Sequence, residues 1–195
     1  MQYTGFWRRF ASFWLDALIF LPFAALALWG NEQSRLFQVY WLVPGAMIGL
    51  WFNVYLVQKF GGTPGKLLLK IKITRTNGED VGFKEAMLRF SVTFLLSMAL
   101  SAAMIIVVTK MSDVEYFSMD WQKRAEYMVD HAPGWYNLVN FAMNIWIWSE
   151  FMVMLTNEKR RALHDFMAGT VVINSEALDR PNQIENTPCS SEAND

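Results

Sequence analysis

Four apolar stretches alternate with polar ones along this chain. The first runs from Phe10 to Trp29 with Asp16 as its only charge. The second, Leu36 to Val57, carries no charged residue, and Gln38 and Asn53 are its amides. The third covers Met87 to Thr109 with Arg89 near its start, and the fourth covers Tyr136 to Leu155. Each comes close to the roughly 20 residues that a helix needs to cross about 30 Å of hydrocarbon. The pattern predicts an all-α membrane protein with four transmembrane helices, at about 10–29, 36–57, 87–109 and 136–155.

The polar stretches between them differ in kind. Residues 58–86 are basic, and Lys70-Ile71-Lys72-Ile73 alternates at period two before Asn77-Gly78, a pair suited to a tight type I′ turn. A small hairpin at the membrane surface is expected there. Residues 110–134 lean acidic, and Val114, Phe117, Trp121, Ala125 and Met128 recur at steps of three and four. That spacing predicts an amphipathic helix, either in the interface or packed on the domain. From about Ser175 the chain is polar and aperiodic. The reading is a membrane domain over 1–174 and a disordered tail over 175–195.

Inside the spans, Pro22 and Pro44 each remove a backbone donor, and a bend is expected at both. Gly45 and Gly49 form a GxxxG pair, and Ser97, Ser101, Ala102 and Ala103 are small enough for close helix contact. Trp135 and Tyr136 introduce the fourth span with rings suited to an interface. Asn137, Asn140 and Asn144 share one face of it, and Glu150 falls roughly 120° away from that stripe.

Charge decides the orientation. Four spans put thirteen of the Lys and Arg residues on the side of the termini and of residues 58–86, against Arg35, Lys110, Lys123 and Arg124 on the other. By the positive-inside rule both termini are cytoplasmic in a plasma (inner) membrane, with the hairpin cytoplasmic and the amphipathic helix extracytoplasmic. The formal charge of −1 argues against a nucleic-acid partner. The lipid bilayer is the expected partner, with a homo-oligomer or another membrane protein beside it.

Little in the chain points to chemistry. Cys189 is the single cysteine, and the two histidines, His131 and His164, fall on opposite membrane faces, so no metal site is expected. Gly61-Gly62-Thr63-Pro64-Gly65-Lys66 resembles a phosphate-binding loop only superficially, since Phe60 and Leu67 stand where Gly and Ser or Thr are needed. No serine or cysteine nucleophile sits in a recognisable frame. Neither a cofactor nor an enzymatic activity is expected.

The charges around the first span carry the remaining information. Arg8 and Arg9 precede the run, and with Ala25-Leu26-Ala27 they outline a signal peptide. Asp16 within the run, and the further membrane-length segments, favour a retained span instead. A charge at a bilayer centre is unfavourable by about 2.5–3.5 kcal/mol, so Asp16 needs a partner or a task.

Three segments together resemble the RDD family of small multi-pass membrane proteins. They are Gly5-Phe6-Trp7-Arg8-Arg9 through Leu15-Asp16, then Gly61 to Lys66, then Lys159-Arg160-Arg161-Ala162-Leu163-His164-Asp165 through Ala168-Gly169-Thr170-Val171-Val172. The resemblance implies that Arg9, Asp16 and Asp165 are the one arginine and two aspartates of the family's name. It implies no settled activity, although exchange of cations for protons has been suggested for such proteins.

Two expectations follow. In the first, Arg9 meets Asp165 and Asp16 meets Lys159, Arg160 and Arg161, clamping the first and fourth helices. A membrane scaffold or assembly partner would be built this way. In the second, Asp16 and Glu150 are carboxylates on a path for protons or small cations.

Overall fold

The computed structural model describes residues 4–156 and 161–175. Helix α1, Phe6–Gln33, runs unbroken through Pro22. A tight turn leads to α2, Phe37–Leu50, which passes through a π-helical turn at Trp51–Tyr55 into α3, Leu56–Phe60. Within that turn Asn53 Nδ2 donates to the Gly49 carbonyl at 3.1 Å, so an amide in an apolar span is satisfied by its own helix. Of the GxxxG pair, Gly49 faces the Phe90 ring and Gly45 faces Trp41 of its own helix. The small residues here make room for side chains.

The chain then forms α4, Pro64–Leu68, and strand β1, Ile71–Arg75, before entering α5, Phe83–Lys110. Helices α6, Asp113–Ser118, and α7, Trp121–Asp130, follow at the far end of α5. Helix α8, Tyr136–Thr156, returns along α5, and α9, Leu163–Ala168, leads into strand β2, Thr170–Asn174.

Among the described residues three helical segments are long and apolar enough to cross a membrane: Phe6–Gln33, Phe37–Phe60 and Phe83–Lys110. Leu18, Leu21, Leu28 and Leu95 are exposed on them, as expected of side chains that meet lipid. The fourth expected span forms as α8 but is not among the three. Part of α8, the side chain of Glu150 included, falls outside the described residues.

The structure is not purely helical. Strands β1 and β2 pair antiparallel, with Ile71 opposite Asn174 and Arg75 opposite Thr170. The expected hairpin is reduced to its turn. Arg75 N–H donates to the Glu79 carbonyl at 2.8 Å, Gly78 supplies the left-handed φ of 90°, and a single bridge joins Thr74 to Asp80. Beyond it Val81 is buried in the core, so the returning strand ends there. The partner of β1 comes from the other end of the sequence because Val171-Val172-Ile173 is apolar throughout and must be covered on both faces. Thr4 N–H donates to the Val172 carbonyl at 3.1 Å and so occupies the free edge of β2.

The alternation of β1 has the expected sense. Ile71 and Ile73 point into a core with Val54, Val57, Val81, Ala86 and Val172, while Lys72 pairs with Asp80 at 2.8 Å. Each buried isoleucine contributes about 1.5–3 kcal/mol. The sheet thereby fastens the end of α3 and the start of α5 to the two chain ends.

At the opposite end, the single amphipathic helix expected over 110–134 is two helices. Met119 is extended, and the Asp120 side chain accepts from Lys123 N–H at 2.8 Å to start α7, as Ser112 accepts from Glu115 N–H to start α6. The buried side is also a different one. Tyr116 and Arg124 are inside, whereas Val114 and Trp121 of the expected apolar stripe are 82% and 70% exposed. Arg124 reaches Glu32 at 2.9 Å and lies over the Tyr116 ring, and Arg35 reaches Asp113 at 2.7 Å. These contacts hold α6 and α7 to the end of α1.

Candidate functional site: two polar junctions at the sheet end

Both aspartates of the expected trio lie at the sheet end of the bundle, in separate junctions. Asp165 stands in the first turn of α9, and its carboxylate accepts the Ala162 N–H at 3.0 Å, which caps its own helix. Its side chain has no solvent exposure. Arg9 of α1 reaches one carboxylate oxygen at 3.2 Å, and Arg89 of α5 reaches the other. Thr170, the first residue of β2, donates its hydroxyl to Asp165 at 3.2 Å and accepts from Arg89 at 2.6 Å.

The surrounding groups extend this junction. Arg89 also lies 2.8 Å from His164 Nε2. Arg161 donates to the backbone carbonyls of Asp165 and Thr170 at 2.9 and 3.0 Å and stacks over Phe166. Arg9 makes a second, longer contact with the Val172 carbonyl at 3.4 Å. Burial alone would raise the Asp165 carboxyl, but Arg89 beside it, and after it His164 and Arg9, hold it well below the usual carboxylate range. One carboxylate therefore ties α1, α5, α9 and β2 together.

Asp16 makes the second junction. Its carboxylate accepts the Thr63 hydroxyl at 2.6 Å and the Gly65 N–H at 2.8 Å, with Lys66 farther off at 3.9 Å. Thr63 precedes α4 and Pro64 opens it, so Asp16 serves from another helix as the acceptor that this helix start lacks. The approach is close because residue 65 is glycine. A Cβ there would fall 2.5 Å from the Ser12 carbonyl oxygen and 2.8 Å from the Asp16 backbone nitrogen.

Several expected positions are now placed. Arg9 does meet Asp165, and Arg8 beside it is exposed. Among the described residues Asp16 accepts from Thr63 and Gly65, and two members of the expected 159–161 cluster cannot be placed against it. Hydrogen-bond donors of a helix start match a carboxylate as well as cations do, and α4 carries them directly onto α1. Lys159 and Arg160 fall outside the described residues, as does the side chain of Glu150 on α8. Arg89 and Thr170 were not singled out for Asp165. The signal for Arg89 was present: it is the only charge within the third apolar run, as Asp16 is within the first. Among the described residues no group of three His, Cys, Asp or Glu side chains is placed to hold a metal ion.

The family model described as the RDD family matches residues 3–169. The chain belongs to the RDD family. The matched stretch takes in both RDD junctions, from Arg9 and Asp16 through the Gly61–Lys66 segment to Asp165. No curated protein and no solved structure matches the chain.

Proposed function

We propose that this RDD protein is a four-span membrane scaffold, with α8 as the fourth span and the two aspartate junctions as structural clamps. The observation that carries this reading is the state of Asp165. A proton carrier needs a carboxyl whose affinity lies near the working pH, whereas Asp165 is sealed from solvent and held ionised by two arginines. Asp16 is likewise engaged, with both oxygens accepting from the α4 start.

Four spans are supported by the path of the chain. Helix α8 leaves the end where α6 and α7 sit, runs beside α5 with Trp146 Nε1 donating to Thr93 at 3.0 Å, and precedes β2 at the sheet end. Its 21 residues extend about 32 Å, close to the hydrocarbon thickness. The excess of Lys and Arg at the sheet end supports a cytoplasmic location for that end in the plasma (inner) membrane. The competing reading, movement of protons or small cations past Asp16 and Glu150, draws on the 14% of the Asp16 side chain that stays exposed beside Lys66.

Purified protein in sealed liposomes separates the two. As a scaffold it carries no cation-dependent proton flux above that of protein-free vesicles. A flux that disappears in Asp16→Asn overturns the scaffold reading.

A further inference from the structure

Asn137, Asn140 and Asn144 are exposed along one side of α8. Asn144 Nδ2 donates to the Asn140 backbone carbonyl at 2.8 Å and to Asn140 Oδ1 at 3.3 Å. Among the described residues these are the hydrogen bonds that the three side-chain amides make. The same side presents Phe141, Trp148 and Met152, exposed by 64%, 67% and 63%. Trp146, which joins α8 to α5, lies nine positions from Asn137 and so half a turn away on the opposite side. One side of α8 is thus spoken for by its own bundle, and the other is a row of amides among large apolar groups.

In hydrocarbon an amide has lost its water and regains nothing from lipid, so such a row calls for protein partners. Each carboxamide is both donor and acceptor and is therefore complementary to itself. No charged residue lies between Asn137 and Trp148 to repel an identical surface. Two copies inserted in the same orientation bring this face together around a two-fold axis along the membrane normal, which sets Asn140 opposite Asn140 of the other copy. We propose that the Asn137–Asn140–Asn144 face of α8 is the contact with a second copy of this chain. The proposal rests on α8 being the fourth span.

The native Cys189, outside the described residues, allows the test on the full chain. Protein labelled there with donor or acceptor dye is reconstituted in phosphatidylcholine–phosphatidylglycerol vesicles, and energy transfer is followed as lipid is diluted in. The wild type is expected to retain transfer. The triple change Asn137→Leu, Asn140→Leu, Asn144→Leu is expected to lose it at least tenfold earlier in the dilution, with helix content unchanged. No transfer in the wild type at any lipid ratio, or equal transfer in the variant, overturns the proposal. Should the triple variant misfold, oxidative cross-linking in the Cys189→Ser background decides: Asn140→Cys links two chains and Ala142→Cys does not. Absence of the Asn140→Cys link overturns the proposal. Membrane-impermeant maleimide on Asp130→Cys and on Cys189 keeps the underlying topology separate. Labelling of both from one side of sealed vesicles removes the fourth span itself and the proposal with it. Labelling from opposite sides without energy transfer removes the pairing alone.

Discussion

Gly65 N–H and the Asp16 carboxylate meet at 2.8 Å, at a point where α4 lies directly on the backbone of α1. A methyl group at 65 has backbone on two sides, the Ser12 carbonyl and the Asp16 nitrogen, and neither can rotate away. Gly65→Ala is therefore expected to separate the two helices and cost about 1–3 kcal/mol. The thermal midpoint in detergent or nanodiscs checks it. Gly134→Ala is the control, since nothing lies within 4 Å of a Cβ there, and it should leave the midpoint unchanged.

The opposite end of the bundle makes a contrasting case. Arg124 is buried against the Tyr116 ring and donates to the Met119 carbonyl at 3.2 Å as well as to Glu32. Its partner carboxylate is 55% exposed. Arg124→Ala should lower stability by about 2 kcal/mol, from lost stacking and an unpaired carbonyl. Glu32→Gln should cost less than about 1 kcal/mol, because an exposed ion pair is screened. Equal losses in the two variants would show that the ion pair, and not the packing of Arg124, holds α6 and α7 in place.

Acid should reveal the Asp165 clamp. Its folded affinity for a proton is depressed, so the stability it contributes is present above the unfolded value of about 3.9 and is lost as pH falls through the lower folded value. The midpoint of the wild type should exceed that of Asp165→Asn from about pH 7 down to about pH 5, and the gap should close in stronger acid. A gap that stays constant into acid would mean that the charge of Asp165 does not matter.

How much of this was legible in the sequence depended on whether a residue announced itself locally. Arg9 and Asp165 did, as a cation before an apolar run and an acid in a basic motif, and the inferred pairing between them is present at 3.2 Å. Arg89 obeyed the same rule as Asp16 but lay at the edge of a longer apolar run, where a helix-end arginine needs no partner. A charge pattern points Asp16 toward cations, and the neutral donors it also uses, a threonine hydroxyl and a glycine N–H, leave no mark in such a pattern. The Asn77-Gly78 pair is a local signal, and a turn formed there. It is not the expected type I′, since of the two only Gly78 has a positive φ and its N–H closes the turn on the Arg75 carbonyl. The strand that pairs with β1 lies almost a hundred residues away, and no local rule reaches it. The break between α6 and α7 was foreseeable in principle, since Asp120 is a strong helix-starting residue inside the proposed helix.

The clamp itself is tested most directly by a double-mutant cycle on Arg89 and Asp165, read by reversible unfolding in a fixed detergent or bilayer. Asp165→Asn leaves Arg9 and Arg89 without their carboxylate and should cost about 3–5 kcal/mol, whereas Arg89→Gln leaves Asp165 with Arg9 alone and should cost about 2–3 kcal/mol. If the two side chains form one junction, the double variant should cost less than the sum by about 2 kcal/mol or more. Costs that add to within about 0.5 kcal/mol would contradict the clamp.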